Sequence, residues 1–247
     1  MSTQIDGTTR TAHLHVPDPM PDGPIPLVVA LHGGTGSGAQ FQRSSGFDAL
    51  ADAEGFAVVY PDGWGLGRDH DRLRTWNGGV CCGRAAEDHV DDVAYLRQVV
   101  EHVEALVTID PNQVFATGHS NGMIMAYRLA CEASDVFAAI AGQAGTLGVE
   151  DCAPSDSVSV LHLHGEADTN LPIDGGPGTG ISKVDFPSAR VGIATVADAM
   201  GCEQGPDPSR SGPVHTDTWD DCDGTASVAL RTVEGANHAW MGAEEPS

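Results

Sequence analysis

The sequence predicts an α/β protein with a mostly parallel central sheet and helices on both faces. Short apolar runs recur at 25–31, 56–60, 114–117, 136–141, 158–164 and 227–233, each the length of a strand buried on both faces. Between several of them lie stretches whose apolar residues repeat with helical spacing, at 38–54, 88–107, 123–130 and 186–200. Strands alternating with helices imply parallel pairing, and functional residues in such sheets gather at the carboxyl ends of the strands. A length of 247 residues suits one domain with a sizeable core, so residues 1–247 are expected to form a single domain.

Each element follows from local chemistry. Ile25–Leu31 is a buried strand. Gly38–Glu54 reads as one helix with Phe41, Leu50 and Ala51 inward. Phe56–Tyr60 is a strand stopped by Pro61-Asp62-Gly63. Asp88–Val107 places Val93, Leu96, Val99, Val100, Val103 and Leu106 on one helical face. Three stretches lack periodicity: 61–85, with Trp64, Trp76 and paired cysteines; 170–182, rich in glycine; and 201–225, rich in Asp and Pro. All three are expected to be loops, and loops of such length in a compact domain are often functional. Residues 1–26 are polar and proline-punctuated, with no basic start leading into an apolar stretch, so a secretory signal is not visible.

Charge excludes some partners. Twelve basic residues against 35 acidic ones give a net charge of −23, and Lys183 is the single lysine. Such a surface repels nucleic acid and anionic membranes, and no apolar run approaches the ~20 residues of a membrane span. Cys81, Cys82, Cys131, Cys152, Cys202 and Cys222 form no C-x-x-C pair, which argues against structural zinc and leaves disulfide pairing open. An oxidising compartment would favour export; without disulfides a cytoplasmic location stands.

The stretch Gly118-His119-Ser120-Asn121-Gly122 carries the chemistry. It reads G-x-S-x-G between a β-prone segment and a helix former, where a sharp turn holds a serine hydroxyl out toward a base. A serine nucleophile needs a histidine base and a carboxylate that orients it. Asp168 lies just past the strand at 158–164, with Glu166 as its rival, and His238 lies past the last strand. Ser120, Asp168 and His238 then follow in the order used by α/β-hydrolases. Glycines after Leu31 let backbone approach a substrate carbonyl, so the amides of Gly34 and Asn121 are the expected oxyanion donors, with Thr35 as alternative to Gly34. His32 is expected to brace that loop, and His119 to point away from the hydroxyl. Trp76 and Trp240 are candidate substrate-binding walls, with core packing as the competing role. His162 and His164 share one strand face and could serve a metal-dependent hydrolase, though no third ligand is near. A catalytically silent carbohydrate- or partner-binding protein on a hydrolase scaffold is the other alternative.

Leu31-His32-Gly33-Gly34, Thr75-Trp76-Asn77 with Cys81-Cys82-Gly83, Gly118-His119-Ser120-Asn121-Gly122-Met123, His164-Gly165-Glu166-Ala167-Asp168 and Gly235-Ala236-Asn237-His238-Ala239-Trp240 together resemble the polyhydroxybutyrate depolymerase and feruloyl esterase group of α/β-hydrolases. The resemblance implies the α/β-hydrolase fold and a secreted serine esterase that needs no metal or cofactor. It implies action on feruloyl or acetyl sugar esters or on hydroxyalkanoate oligomers, and disulfides Cys131–Cys152 and Cys202–Cys222. The expected partner is a small-molecule or oligomeric ester substrate, with no nucleic acid or membrane, and the expected state is a monomer. Members commonly carry a proline two residues after the tryptophan near the histidine; here Trp240 is followed by Met241-Gly242.

Overall fold

A computed structural model of the chain describes residues 2–5, 8–67 and 70–241. The chain opens with β1 (Ser2–Ile5), β2 (Thr8–His15) and β3 (Ile25–Leu31). Helices α1 (Gly38–Ser45) and α2 (Phe47–Glu54) lead to β4 (Ala57–Pro61). A small hairpin, β5 (Trp64–Leu66) with β6 (Arg72–Thr75), and α3 (Gly83–Glu87) precede α4 (Asp92–Glu104). Strand β7 (Ile109–His119) runs into α5 (Asn121–Glu132), followed by β8 (Ala139–Gln143) and β9 (Ser159–Gly165). The short pair β10 (Gly176–Pro177) and β11 (Asp185–Phe186) comes before α6 (Ala189–Ala199). Strands β12 (Gln204–Ser211), β13 (Val214–Asp220) and β14 (Val228–Val233) follow.

Ten strands form one sheet in the order β1-β2-β4-β3-β7-β8-β9-β14-β13-β12. The central run from β4 to β14 is parallel throughout, and β1, β2, β12 and β13 add antiparallel margins. Parallel strands are covered on both faces, which is why their apolar runs are continuous. Every residue of β4 is buried, and Leu27, Val29 and Leu31 of β3 are fully buried beside Met123, Tyr127 and Leu129 of α5. The register sets Leu31 opposite Gly118, His119 opposite Gln143 and Gly165 opposite Val233. The carboxyl ends of β3, β7, β8, β9 and β14 therefore form one rim, and the candidate site lies along it.

Five expectations from the sequence are corrected. The stretch 61–85, read as a loop, holds the β5–β6 hairpin and α3. The helix expected over 38–54 is two helices, because Gly46 adopts φ 77° at the junction. The break turns the second half, so Phe41 and Ala51 face inward while Leu50 is 47% exposed. The helix expected over 88–107 is shorter: the Asp91 side chain caps its start by accepting from the Ala94 amide, and Leu106 lies past its end, 64% exposed. The strand expected at 136–141 begins at Ala139, since Val136 and Phe137 close a turn onto the Ala133 carbonyl. The stretch 201–225, read as a loop, holds the β12–β13 hairpin. Its prolines misled because Pro206 and Pro208 sit on the fully exposed edge strand β12, where a missing amide donor is tolerated.

Candidate active site

Ser120 sits between β7 and α5 with φ 55° and ψ −121°. That left-handed conformation is unfavourable for serine, and local packing enforces it. A side chain at Gly118 would strike the backbone of Gly122, and one at Gly122 would strike the carbonyl of Leu31, so only glycine allows the turn to close. The Ser120 amide donates to the Gln143 carbonyl at 3.0 Å, and the Ser120 carbonyl accepts from Met123 and Ile124 at 2.9 and 3.0 Å. The hydroxyl is left pointing out of the rim, on a partly exposed residue.

His238 follows β14. Its Nε2 lies 2.9 Å from Ser120 Oγ, and its Nδ1 lies 2.7 Å from Asp168 Oδ2. The Asp168 side chain is fully shielded from solvent, and its other oxygen accepts the amides of Asn170 and Leu171, each at 2.9 Å. Burial alone would raise this carboxyl. The hydrogen bonds from His238 and Leu171 outweigh it and hold Asp168 below the usual carboxylate range. The structure thus brings together Ser120, His238 and Asp168 in one hydrogen-bonded line. Glu166 is elsewhere: it is exposed and accepts from the Thr232 hydroxyl at 2.9 Å.

Gly33 and Gly34 pack against the nucleophile turn. A Cβ placed on Gly33 would lie 3.6 Å from Ser120 Cβ, and one on Gly34 would lie 3.8 Å from Asn121 Cβ. The Thr35 amide is committed to the Arg74 carbonyl at 2.7 Å, which removes it as an alternative donor. Asn121 stands at the first position of α5, where helical N–H groups have no partner within the helix and the dipole is positive. The loop is braced as expected by His32. Its ring accepts the Gly63 amide at 2.9 Å and donates to the Gly33 carbonyl at 2.7 Å. Burial pushes the His32 pKa down to about 4, so the ring is neutral.

The two tryptophans part company. Trp240 is partly exposed, with its ring edge-on to Phe41 at 5.2 Å and to His119 at 6.0 Å, next to the histidine loop. Trp76 is fully buried and touches no open surface, so it does not line a cleft; its indole and backbone are engaged with His32 and Asn121. The alternative in which His162 and His164 serve a metal is not favoured either. Tyr127 donates to His162 Nδ1 at 2.7 Å, His162 Nε2 lies 2.9 Å from His164 Nδ1, and His164 Nε2 donates to the Leu171 carbonyl at 2.9 Å. All four ring nitrogens are engaged, and among the described residues no group of three suitable ligands gathers. Burial lowers both histidine pKa values.

Two supporting residues escaped the sequence. Gln143 ends β8 and ties the nucleophile to the histidine loop: besides accepting from Ser120, it donates Nε2–H to the Ala239 carbonyl at 2.7 Å and accepts the Met241 amide at 2.9 Å. The only available signal was a lone amide at the end of an apolar strand. His119, expected to turn away from the hydroxyl, lies beside His238, with ring centroids 5.0 Å apart. Its Nε2–H donates to the His238 carbonyl at 2.7 Å, and burial followed by the neighbouring His238 pushes its pKa down to about 4.

The sequence and fold are matched in known proteins. The family model described as "Esterase PHB depolymerase" matches residues 12–176. The putative esterase NocK of Nocardia uniformis subsp. tsuyamanensis is 31% identical over 98% of this chain and 74% of its own length. Feruloyl esterase B of Piromyces equi is 27% identical over 88% of this chain, which spans 40% of that protein. Poly(3-hydroxyalkanoate) depolymerase C of Paucimonas lemoignei is 36% identical over 57% of this chain and 32% of its length. In fold, the acetyl xylan esterase from Aspergillus awamori superposes with a TM-score of 0.70 at 16% identity, over 92% of this chain and 88% of that one. The Bacillus cereus carboxylesterase gives 0.59 at 15% identity, over 93% and 86%. With an α/β-hydrolase fold and a family model covering most of its length, this chain belongs to the esterase PHB depolymerase family and is a carboxylic ester hydrolase.

Proposed function

We propose that Ser120, His238 and Asp168 are the catalytic triad and that the amides of Gly34 and Asn121 form the oxyanion hole. The observation that carries this reading is the unbroken line from Ser120 Oγ through both nitrogens of His238 to Asp168 Oδ2, at 2.9 and 2.7 Å. His238 Nε2 takes the hydroxyl proton as Ser120 Oγ attacks the ester carbonyl. The oxyanion rests on the two amides. His238 then returns the proton to the leaving alkoxide, leaving an acyl-Ser120 ester. Water, deprotonated by His238, attacks that ester; as the acid is released, His238 hands the proton to the departing Ser120 Oγ and the enzyme is restored. Asp168 stays ionised and holds the imidazole in one tautomer. A catalytically silent binding protein would have no use for this alignment.

The substrates are feruloyl or acetyl sugar esters, or hydroxyalkanoate oligomers, with Trp240 as one wall of the cleft. The names of the relatives support that range, and the partly exposed Trp240 beside the histidine loop supports an aromatic or extended acyl group. The chain acts as a single catalytic domain and a monomer. One sheet holding strands from Ser2 to Val233 supports the first point. It works outside the cell, which is supported by the disulfides Cys81–Cys82, Cys131–Cys152 and Cys202–Cys222. No helix among the described residues is long and apolar enough to cross a membrane.

The deciding experiment compares wild type with Ser120→Ala on p-nitrophenyl acetate, methyl ferulate, acetylated xylan oligomers and hydroxybutyrate oligomers. The reading expects hydrolysis of at least one natural-type ester by wild type and its loss in the variant. Full turnover by Ser120→Ala would sink it.

A further inference from the structure

The two proposed oxyanion donors belong to distant parts of the chain, and neither β3 nor α5 alone sets the gap between them. The segment 74–76, at the end of β6 and just past it, bonds to both sides of that gap. Just before the Gly33-Gly34 pair, the His32 carbonyl accepts the indole N–H of Trp76 at 2.9 Å. Just after it, the Thr35 amide donates to the Arg74 carbonyl at 2.7 Å. On the other side, the Trp76 amide donates to Asn121 Oδ1 at 2.7 Å, and Asn121 Nδ2–H donates back to the Trp76 carbonyl at 2.9 Å. A single residue thus holds the oxyanion loop with its side chain and the start of the nucleophile helix with its backbone. Trp76, Asn121 and His32 are all essentially inaccessible to solvent, so these bonds are not exchanged for water.

Trp76 is itself fixed from behind. The Arg10 guanidinium lies 5.5 Å from its ring centroid and 3.6 Å from that of Tyr95. Arg10 Nη1 donates to Asp92 at 2.6 Å, and the other Asp92 oxygen accepts the Asn77 amide at 2.7 Å, anchoring the residue next to Trp76. The ion pair is buried and its polar atoms are satisfied, which makes it a rigid mount.

We propose that Trp76 is a positioning residue that sets the separation of the Gly34 and Asn121 amides, a claim that rests on the reading of Ser120 as nucleophile. Oxyanion donors act only when they sit about 2.7–3.1 Å from where the charge develops, so they must be placed before the reaction begins. A displacement of about 1 Å costs as much as ~10²-fold in rate. Tryptophan suits the task because it offers one directional donor on a large ring with few rotatable bonds.

Trp76→Phe keeps most of the ring and removes the N–H. On p-nitrophenyl acetate it is expected to lower kcat about ten-fold while KM stays within about two-fold, because the lost contact matters in the transition state and not in ground-state binding. Affinity for a boronic acid that mimics the tetrahedral intermediate should fall by a similar factor. Asn121→Ala retains the backbone amide but loses both side-chain clamps, and should show the same signature; it decides the matter if Trp76→Phe does not fold. Phe137→Leu, in the main hydrophobic core and outside the clamp, is expected to lower Tm and leave kcat intact, which separates positioning from general destabilisation. Wild-type kcat and boronate affinity in the folded clamp variant, or a rise in KM alone, would overturn the proposal. Ser120→Ala keeps the two claims apart: if it remains active the nucleophile reading fails, whereas if it is dead and the clamp variants are unimpaired, only the positioning role fails.

Discussion

Ser120 holds a conformation that few serines adopt, and the cost of roughly 1–3 kcal/mol is offset by the turn around it. The side chain that turn presents depends on Asp168 for its base. Asp168→Asn still lets the amides of Asn170 and Leu171 donate to an oxygen, but it turns a donor toward His238 Nδ1 and fixes the wrong tautomer. A fall in kcat on the order of 10³–10⁴ is expected with little change in fold, checked by steady-state kinetics and circular dichroism. At this scale the sequence was a good guide wherever chemistry demands a residue type. Ser120, Asp168 and His238 stand at strand ends in one chain order, and the structure brings their side chains into contact. It was a poor guide to Trp76. An indole that walls a cleft and one that holds a carbonyl in the core look alike until their neighbours are known. Gln143 was invisible for the same reason: an amide linking two loops carries no spacing signal.

At the scale of elements, the junctions matter most. Gly122 lies where α5 passes the end of β3, and any side chain there meets the Leu31 and His32 carbonyls. Gly122→Ala is therefore expected to leave the protein largely insoluble or unfolded, read by expression and thermal melting. Strand β9 carries a polar chain through the core, from Tyr127 through His162 and His164 to the Leu171 carbonyl beside Asp168. Tyr127→Phe removes a donor from a fully buried histidine nitrogen and should cost about 1–3 kcal/mol in denaturant melts, since that nitrogen would then be buried unsatisfied. Apolar length made the central parallel strands legible. Helix breaks and edge strands were not, because Gly46 and the Pro206–Pro208 stretch act through conformations and edge exposure that only the assembled sheet defines. Leu50 and Leu106 show the consequence: both fit a continuous helical face, and both ended exposed where the helix broke or stopped.

At the scale of the molecule, stability is linked to pH through buried neutral histidines. His32 and His119 fall from the ordinary value near 6.5 to about 4, and His162 and His164 are also lowered. In the unfolded chain these groups gain protons near pH 6.5; in the folded state His32 and His119 resist until about pH 4, and burial makes His162 and His164 resist in the same direction. The unfolded state therefore binds more protons in that window, and stability falls as pH drops through it. His32 alone corresponds to roughly 3 kcal/mol at about 1.4 kcal/mol per unit. Asp168 adds in the same direction at lower pH, since its stabilisation is present above the unfolded value and lost as it protonates. Urea midpoints should decline steadily from pH 7 to 4.5; a flat profile would contradict this linkage. The disulfides Cys131–Cys152 and Cys202–Cys222, with sequence separations of 21 and 20, should each contribute about 3 kcal/mol, read as a lower midpoint in the paired serine variants. The account's central claim is the covalent step at Ser120, and rapid acid quench of the enzyme with p-nitrophenyl acetate, followed by peptide mass mapping, tests it most directly. One acetyl group on the peptide holding Gly118–Gly122, absent in Ser120→Ala, is the predicted result. Steady hydrolysis with that peptide unmodified at every quench time, and undiminished in the alanine variant, would contradict it.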